Sequence, residues 1–187
     1  MHNTMSLFLK TIAAAAAATS LLAGAAHAQK TTQLKVGAGG SPHMRTEWTI
    51  RGAHITIEYG SPYLKGRPES QMMPLGEPWR TGADEATVIT SDKPLTFGTV
   101  HLAPGSYTIN TQPGAKEWQL ILGKLSKPGQ WGIPYQPALE LGRAPMTLGK
   151  TKAPVEQVTY AIDVTAASTT LRIEWGTTSV TIPFTIG

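Results

Sequence analysis

Cysteine is absent from all 187 positions of the chain. This excludes disulfide bonds, thiol catalysis and attachment of a lipid through a cysteine side chain. A chain of this length can bury a core large enough to fold without cross-links. Stability must therefore come from side-chain packing and hydrogen bonding.

Basic residues are scattered, and no run of them occurs. The formal net charge is +4, and the chain without its first 28 residues has 15 Lys and Arg against 12 Asp and Glu. Nucleic-acid-binding domains concentrate their positive charge in a patch or stripe. We therefore expect no nucleic-acid partner.

The first 28 residues have the pattern of a signal peptide. A basic start containing Lys10 is followed by an alanine-rich apolar segment, and residues 26–28 read Ala-His-Ala. The apolar segment is interrupted by Thr19 and Ser20, whereas a transmembrane helix needs about 20 apolar residues. The sequence predicts cleavage after Ala28, a mature chain without a transmembrane anchor, and a periplasmic or secreted location.

Helical periodicity is also lacking, and alternation with period two takes its place. It is clearest in four segments: His54–Tyr59, Val158–Val164, Leu171–Trp175 and Val180–Ile186. Pairs of Pro and Gly between such segments indicate tight turns. The sequence predicts an all-β fold, an antiparallel two-sheet β-sandwich. Pro183 indicates that the last strand lies at a sheet edge.

The remaining segments complete the predicted organisation. Residues 29–40 are polar and glycine-rich and are expected to form a flexible lead-in, and residues 41–187 are expected to form a single β-sandwich domain. Two stretches inside it, residues 60–84 and 126–154, lack periodicity. Irregular stretches of this length are often functional.

Six short motifs resemble a known bacterial family. They are Ser61–Arg67, Pro78–Ala86, Ala103–Thr108, Lys116–Trp118, Trp131–Gly132 and Leu141–Met146. In this order they resemble the family catalogued as domain of unknown function 2911, over nearly all of the chain after about Ser41. The resemblance implies an exported protein of β architecture, and it implies no activity.

Arginine and aromatic residues concentrate in the two irregular stretches. Guanidinium groups can hold a carboxylate or phosphate through paired hydrogen bonds, and aromatic rings can stack on a sugar or an apolar group. The candidate ligand-binding residues are Tyr63, Arg67, Trp79, Arg80, Asp84 and Trp131. In the alternative interpretation, Arg80 and Asp84 pair to fix the loop, while Trp79 and Tyr63 close the end of the core.

No pattern of catalytic or metal-ligating residues stands out. His43, His54 and His101 lie at no spacing typical of a metal site, so a site built from all three requires the fold to gather them. Asp84 and Glu85 are adjacent, and adjacent residues of a strand point to opposite faces. The sequence therefore identifies no catalytic residue, no metal site and no cofactor.

Three functional hypotheses remain. The first is an exported, non-enzymatic binding or envelope-associated module for a small anionic or carbohydrate ligand. The second is a periplasmic hydrolase of envelope carbohydrate or of a phosphorylated compound, which uses Asp84 or Glu85 with an arginine or a histidine-bound metal. The third is a structural partner of another envelope protein.

Overall fold

The computed structural model describes residues 29–187, and the predicted signal peptide, residues 1–28, lies outside the described residues. Apart from one helical turn, α1 (Glu69–Met72), and one 3-10 turn, Pro137–Leu139, the regular structure is β. Residues 29–187 contain ten strands: β1 Lys30–Val36, β2 Pro42–Ile50, β3 Ala53–Gly60, β4 Thr87–Ser91, β5 Leu95–Phe97, β6 Val100–Leu102, β7 Gly105–Gln112, β8 Glu117–Lys124, β9 Glu140–Val164 and β10 Thr169–Ile186.

The strands form one antiparallel sheet with the order β1-β2-β3-β4-β7-β8-β9-β10-β5-β6. The prediction of an all-β, antiparallel fold is confirmed, but hydrogen bonding does not divide the strands into two sheets. Two long strands explain the difference. Strand β9 pairs with β8 over residues 140–147 and with β10 between residues 147 and 164, and β10 continues to β5 through residues 184–186. The long strands thus join both halves into a single ladder.

Pro183 lies where β10 changes its partner. Thr181 pairs with Thr147 of β9, and Phe184 pairs with Phe97 of β5. The prediction of an edge strand is wrong, since β10 lies between β9 and β5 in the sheet. A proline at the junction of two ladders removes no hydrogen bond from either of them. The missing donor is tolerated inside the sheet at this position.

The sheet bends over a common core. The rings of Tyr59 in β3 and Tyr160 in β9 lie 4.6 Å apart, although three strands separate β3 from β9 in the sheet order. The buried residues come from nearly the whole sheet and include Trp48, Ile57, Ile109, Leu120, Leu171 and Ile182. The predicted alternation of buried and exposed residues is present in β3, in the second half of β9 and in β10.

Two predicted boundaries need correction. Residues 30–36 of the expected lead-in form β1, which pairs with β2 although every residue in it is exposed. The second irregular stretch ends at residue 139, because residues 140–154 belong to β9. Both segments lack a continuous apolar face, so their pairing left no periodic signal. Among the described residues, no helix has the length and apolar character to cross a membrane.

The hydroxyl group of Tyr160 connects the core with the loop between β3 and β4. It donates a hydrogen bond of 2.8 Å to the carbonyl oxygen of Thr81, and burial raises the pKa of this phenol far above its ordinary value. We expect Tyr160→Phe to lower the free energy of unfolding by about 1–2 kcal/mol, because a buried carbonyl loses its strongest donor. Denaturant unfolding measures the change.

Tyr107→Phe is the matched control. Tyr107 is half-buried, and its hydroxyl makes no hydrogen bond to any described residue. Its replacement should leave the free energy of unfolding nearly unchanged. Equal effects of the two substitutions would contradict the role assigned to the bond between Tyr160 and Thr81.

Candidate functional site

The connection between β3 and β4, residues 61–86, is fixed to the sheet at its start. Ser61 Oγ donates to the carbonyl of Val158 at 2.7 Å, and the amide of Leu64 donates to the carbonyl of Glu156 at 2.9 Å. The amide of Lys65 donates to the Glu156 carboxylate at 2.7 Å. A long connection without regular structure thus obtains a defined path over β9.

The short helix α1 is held against β10 by one carboxylate. Glu69 accepts hydrogen bonds from the amide and hydroxyl of Thr177, at 2.6 and 2.9 Å, and from the hydroxyl of Thr178 at 2.6 Å. Burial by itself raises the pKa of Glu69, but these hydrogen bonds outweigh it and hold the pKa below its ordinary value. The ionised form of Glu69 therefore fixes α1.

The end of the connection packs through Trp79. Its amide and carbonyl exchange hydrogen bonds with Thr111 of β7, at 2.7 and 2.9 Å. Its ring stacks on Trp175 of β10 at a centroid distance of 5.7 Å and meets the ring of Trp118 edge-on at 6.2 Å. Trp79 thus joins the core, as the alternative interpretation predicts, and it also forms part of a cleft wall.

This cleft has a volume of about 470 Å³. Four of the six candidate residues line it, namely Arg67, Trp79, Arg80 and Asp84, together with Trp175, Met72, Ile133, three prolines and several small residues. The other two candidates lie elsewhere. Tyr63 pairs through its backbone with Gln157, and Trp131 pairs with Glu85 and is 47% exposed. The cleft therefore unites part of the predicted set.

The two arginines use part of their donors to shape the backbone. Arg67 donates to the carbonyls of Tyr63 and Leu64, at 2.5 and 2.9 Å, and Arg80 Nε donates to the carbonyl of Gly82 at 3.1 Å. Neither guanidinium forms a salt bridge with any residue that the structure describes. The predicted pair of Arg80 and Asp84 is not formed.

Asp84 instead belongs to a cluster with Glu85 and His43. His43 Nε2 lies 3.2 Å from Asp84 Oδ2 and 3.1 Å from Glu85 Oε2. The expectation that the adjacent carboxylates point to opposite faces is wrong. Asp84 has a φ of 61°, and this left-handed backbone turns both carboxylates toward His43.

Glu85 also forms a salt bridge with Lys35 of β1. Lys35 Nζ lies 2.5 Å from Glu85 Oε1. Burial tends to raise the pKa of Glu85, but the hydrogen bond from Lys35 and the nearby His43 outweigh it, so the pKa lies below its ordinary value. The three histidines are not gathered, since His54 and His101 bond to Thr49 and Thr96 respectively.

Sequence reasoning missed His43 and Glu85 as partners. The one hint in the sequence was the glycine-rich turn just before β2. Its residue Gly37 lies so close to the cluster that no side chain would fit at this position. A Cβ atom at Gly37 would lie 1.9 Å from Asp84 Oδ2 and 2.7 Å from His43 Nε2. The turn between β1 and β2 thus accommodates the cluster only because residue 37 has no side chain.

A family model matches residues 41–184, and its description is "Protein of unknown function (DUF2911)". The chain belongs to this family. The resemblance found in the sequence motifs is thereby confirmed, and the matched range contains the four cleft residues, His43 and Glu85. No curated protein and no solved structure gives a significant match. Membership in the DUF2911 family assigns no activity, so the site must be interpreted from its own geometry.

The close approach at Gly37 in this DUF2911 protein can be tested by adding one methyl group. We expect Gly37→Ala to lower the free energy of unfolding by about 1–3 kcal/mol, because the methyl group overlaps a buried carboxylate. Gly39→Ala is the control, since its Cβ would lie 3.5 Å from the nearest Asp84 atom, in ordinary contact. Denaturant unfolding of both variants would contradict this account if Gly39→Ala were as destabilising as Gly37→Ala.

The contact between α1 and β10 should depend on pH. Because folding lowers the pKa of Glu69, its stabilisation is complete above the pKa of the unfolded chain and is lost as the pH falls through the lower, folded pKa. We expect Glu69→Gln to cost about 1–2 kcal/mol at pH 7 and much less below about pH 4. Unfolding free energies measured across this pH range test the sign.

A surface carboxylate provides the control. Glu117→Gln removes an exposed group that accepts one side-chain hydrogen bond, from Gln119. It should change the free energy of unfolding little at pH 7. A gap between wild type and Glu69→Gln that widens on acidification would contradict the assigned role of the ionised Glu69.

Proposed function

We propose that this protein is an exported binding module that holds a small organic anion with a ring in the cleft between β10 and the connection that follows β3. One observation carries the proposal. Two arginines, Arg67 and Arg80, line the same cleft, and neither forms a salt bridge with a described residue. A carboxylate or phosphate group could pair with both guanidinium groups.

The wall of the cleft favours a ligand that also has a flat or apolar part. The half-buried Trp79 lines it with Met72 and Ile133, whereas Trp175, which stacks on Trp79, is only 2% exposed and adds little surface. Aromatic rings stack on sugars and on unsaturated rings, while the guanidinium groups fix the anionic end. A volume of about 470 Å³ lies within the range of about 300–1,000 Å³ that is typical of small-molecule sites.

The cleft is held open by the scaffold and needs no ligand to organise it. Arg67 and Arg80 are oriented by backbone carbonyls, and Trp79 is fixed by Thr111 and by ring contacts. Preorganised donors reduce the entropy lost on binding. The leader-like residues 1–28 support a periplasmic or extracellular location, where such a module meets soluble or envelope-derived anions.

Binding can be tested with charged and neutral members of the same chemical series. The panel is glucuronate, benzoate and phenyl phosphate, with glucose and benzyl alcohol as uncharged counterparts, in ligand-observed NMR followed by calorimetry. We expect at least one anion to bind while its uncharged counterpart does not. Arg67→Ala and Arg80→Ala should each weaken that binding more than about tenfold, because each removes a charged donor.

Arg51→Ala is the matched control. Arg51 also donates to two carbonyls, those of Thr165 and Ala166, but it lines no part of the cleft. Its replacement should leave binding unchanged. Loss of several kcal/mol of stability in Arg67→Ala and Arg80→Ala without an effect on binding would make the arginines structural and would reject the proposal.

A further inference from the structure

The cluster of His43, Asp84 and Glu85 contains one atom without a partner. Glu85 Oε2 is buried, and no described residue donates a hydrogen bond to it, although His43 Nε2 lies only 3.1 Å away. The reason is geometric. An imidazole nitrogen carries one proton at most, and the hydrogen-bond geometry of His43 Nε2 is met with Asp84 Oδ2, at 3.2 Å, and not with Glu85 Oε2. A single proton cannot serve two buried carboxylate oxygens.

A metal ion in place of that proton would contact all three groups. We propose that His43, Asp84 and Glu85 bind a divalent first-row transition metal ion of the Zn²⁺ type. Atoms that lie about 2.0–2.2 Å from a common ion are about 2.9–3.5 Å apart at the usual coordination angles. The two distances from His43 Nε2, 3.2 and 3.1 Å, match this separation, and all three ligand atoms lie within 4.8 Å of one another.

The donor set selects the class of metal. One imidazole nitrogen with two carboxylate oxygens suits Zn²⁺ and its neighbours, whereas Mg²⁺ and Ca²⁺ prefer oxygen ligands alone. Two negative charges also match a divalent ion that is taken out of water. The side chains of His43 and Asp84 are each only 9% exposed, so the ligands are held in place by packing.

Solvent reaches the site from one side. A small cavity of about 130 Å³ has His43, Glu85 and Lys35 in its wall, and the Glu85 side chain is 25% exposed. This space can hold the water molecules that complete a coordination shell with three protein ligands. Gly37 packs against Asp84 Oδ2 and His43 Nε2, so the ion must lie on the part of the cluster that Gly37 does not cover.

Lys35 is the natural competitor for the metal. Its ammonium group contacts Glu85 Oε1, but its side chain is 57% exposed and can turn toward solvent. Removal of this positive charge should favour a bound cation. Lys35→Met therefore distinguishes a metal site from an ion-pair network, in which the same change removes a stabilising partner and creates no affinity.

The test is calorimetric titration of the chelator-treated protein with ZnCl₂, with visible absorption on addition of CoCl₂ as a report on coordination. We expect one equivalent of Zn²⁺ per chain. Glu85→Gln and His43→Ala should each weaken binding more than about tenfold. Because His43 is buried and its removal can impair folding, Glu85→Gln is the decisive variant, and the rise in melting temperature at a given Zn²⁺ concentration should be much smaller in it than in the wild type.

His54→Ala and His101→Ala are the matched controls. Both histidines are exposed and bond to a threonine on a strand, so their removal changes the number of imidazoles but not the cluster. Both variants should bind Zn²⁺ as the wild type does, and Lys35→Met should bind it at least as tightly. The proposal is rejected if the wild type shows no saturable binding, if Glu85→Gln binds equally well, or if either control loses binding.

Discussion

A hydrogen bond between the hydroxyl of Tyr160 and the carbonyl of Thr81 joins the buried sheet to the connection that carries the candidate site. Thr81 is itself in a left-handed conformation, with a φ of 53°, and its hydroxyl bonds to that of Thr111 at 2.9 Å. A backbone of this kind persists only where its surroundings fix it. The anchoring of Thr81 therefore also fixes the backbone of its neighbours, Trp79 and Arg80 before it and Asp84 after it.

The same segment serves two neighbouring features. Asp84 lines the cleft that contains Arg67 and Arg80, while its carboxylate lies against His43. The wall of the cleft therefore contains two guanidinium groups that form no salt bridge with a described residue, and also one carboxylate of the cluster. A cation bound by the cluster would also lie close to an anion in the cleft, and opposite charges at short range strengthen each other in a partly buried site. The two proposals are separately testable because Arg67 and Glu85 belong to only one feature each.

The period-two pattern predicted the fold class well and its boundaries less well. Strand β3 alternates because one of its faces is buried against the core. Strand β1 has no buried face, so its sequence resembles a loop although its backbone is paired with β2. The joining of both halves into one sheet depends on the register of β9 and β10. Alternation along a strand does not contain this information, since it reports which face is buried and not which strand is the neighbour.

The candidate site shows the same division between local and distant information. Arg67, Trp79 and Arg80 lie in one irregular segment, so composition alone drew attention to them. The partnership of His43 with Asp84 spans 41 positions and depends on the left-handed φ of Asp84. The sequence-based rule for adjacent carboxylates assumed an extended backbone at this residue.

The family match covers the three proposed metal ligands and does not reach Lys35, the residue proposed to compete with the metal. Residues 41–184 include all three proposed ligands, whereas Lys35 and Gly37 precede that range. The cluster therefore consists of family-domain residues, and β1 adds to it from outside the matched range. If the cluster is a metal site, Lys35 of β1 competes with the metal for the Glu85 carboxylate. The affinity for the metal then depends on the three ligands and on Lys35. If it is an ion-pair network, Lys35 and His43 share two carboxylates, and Glu85 Oε2 keeps an uncompensated desolvation cost. The first arrangement removes that cost and the second retains it, which is the physical reason to prefer the metal.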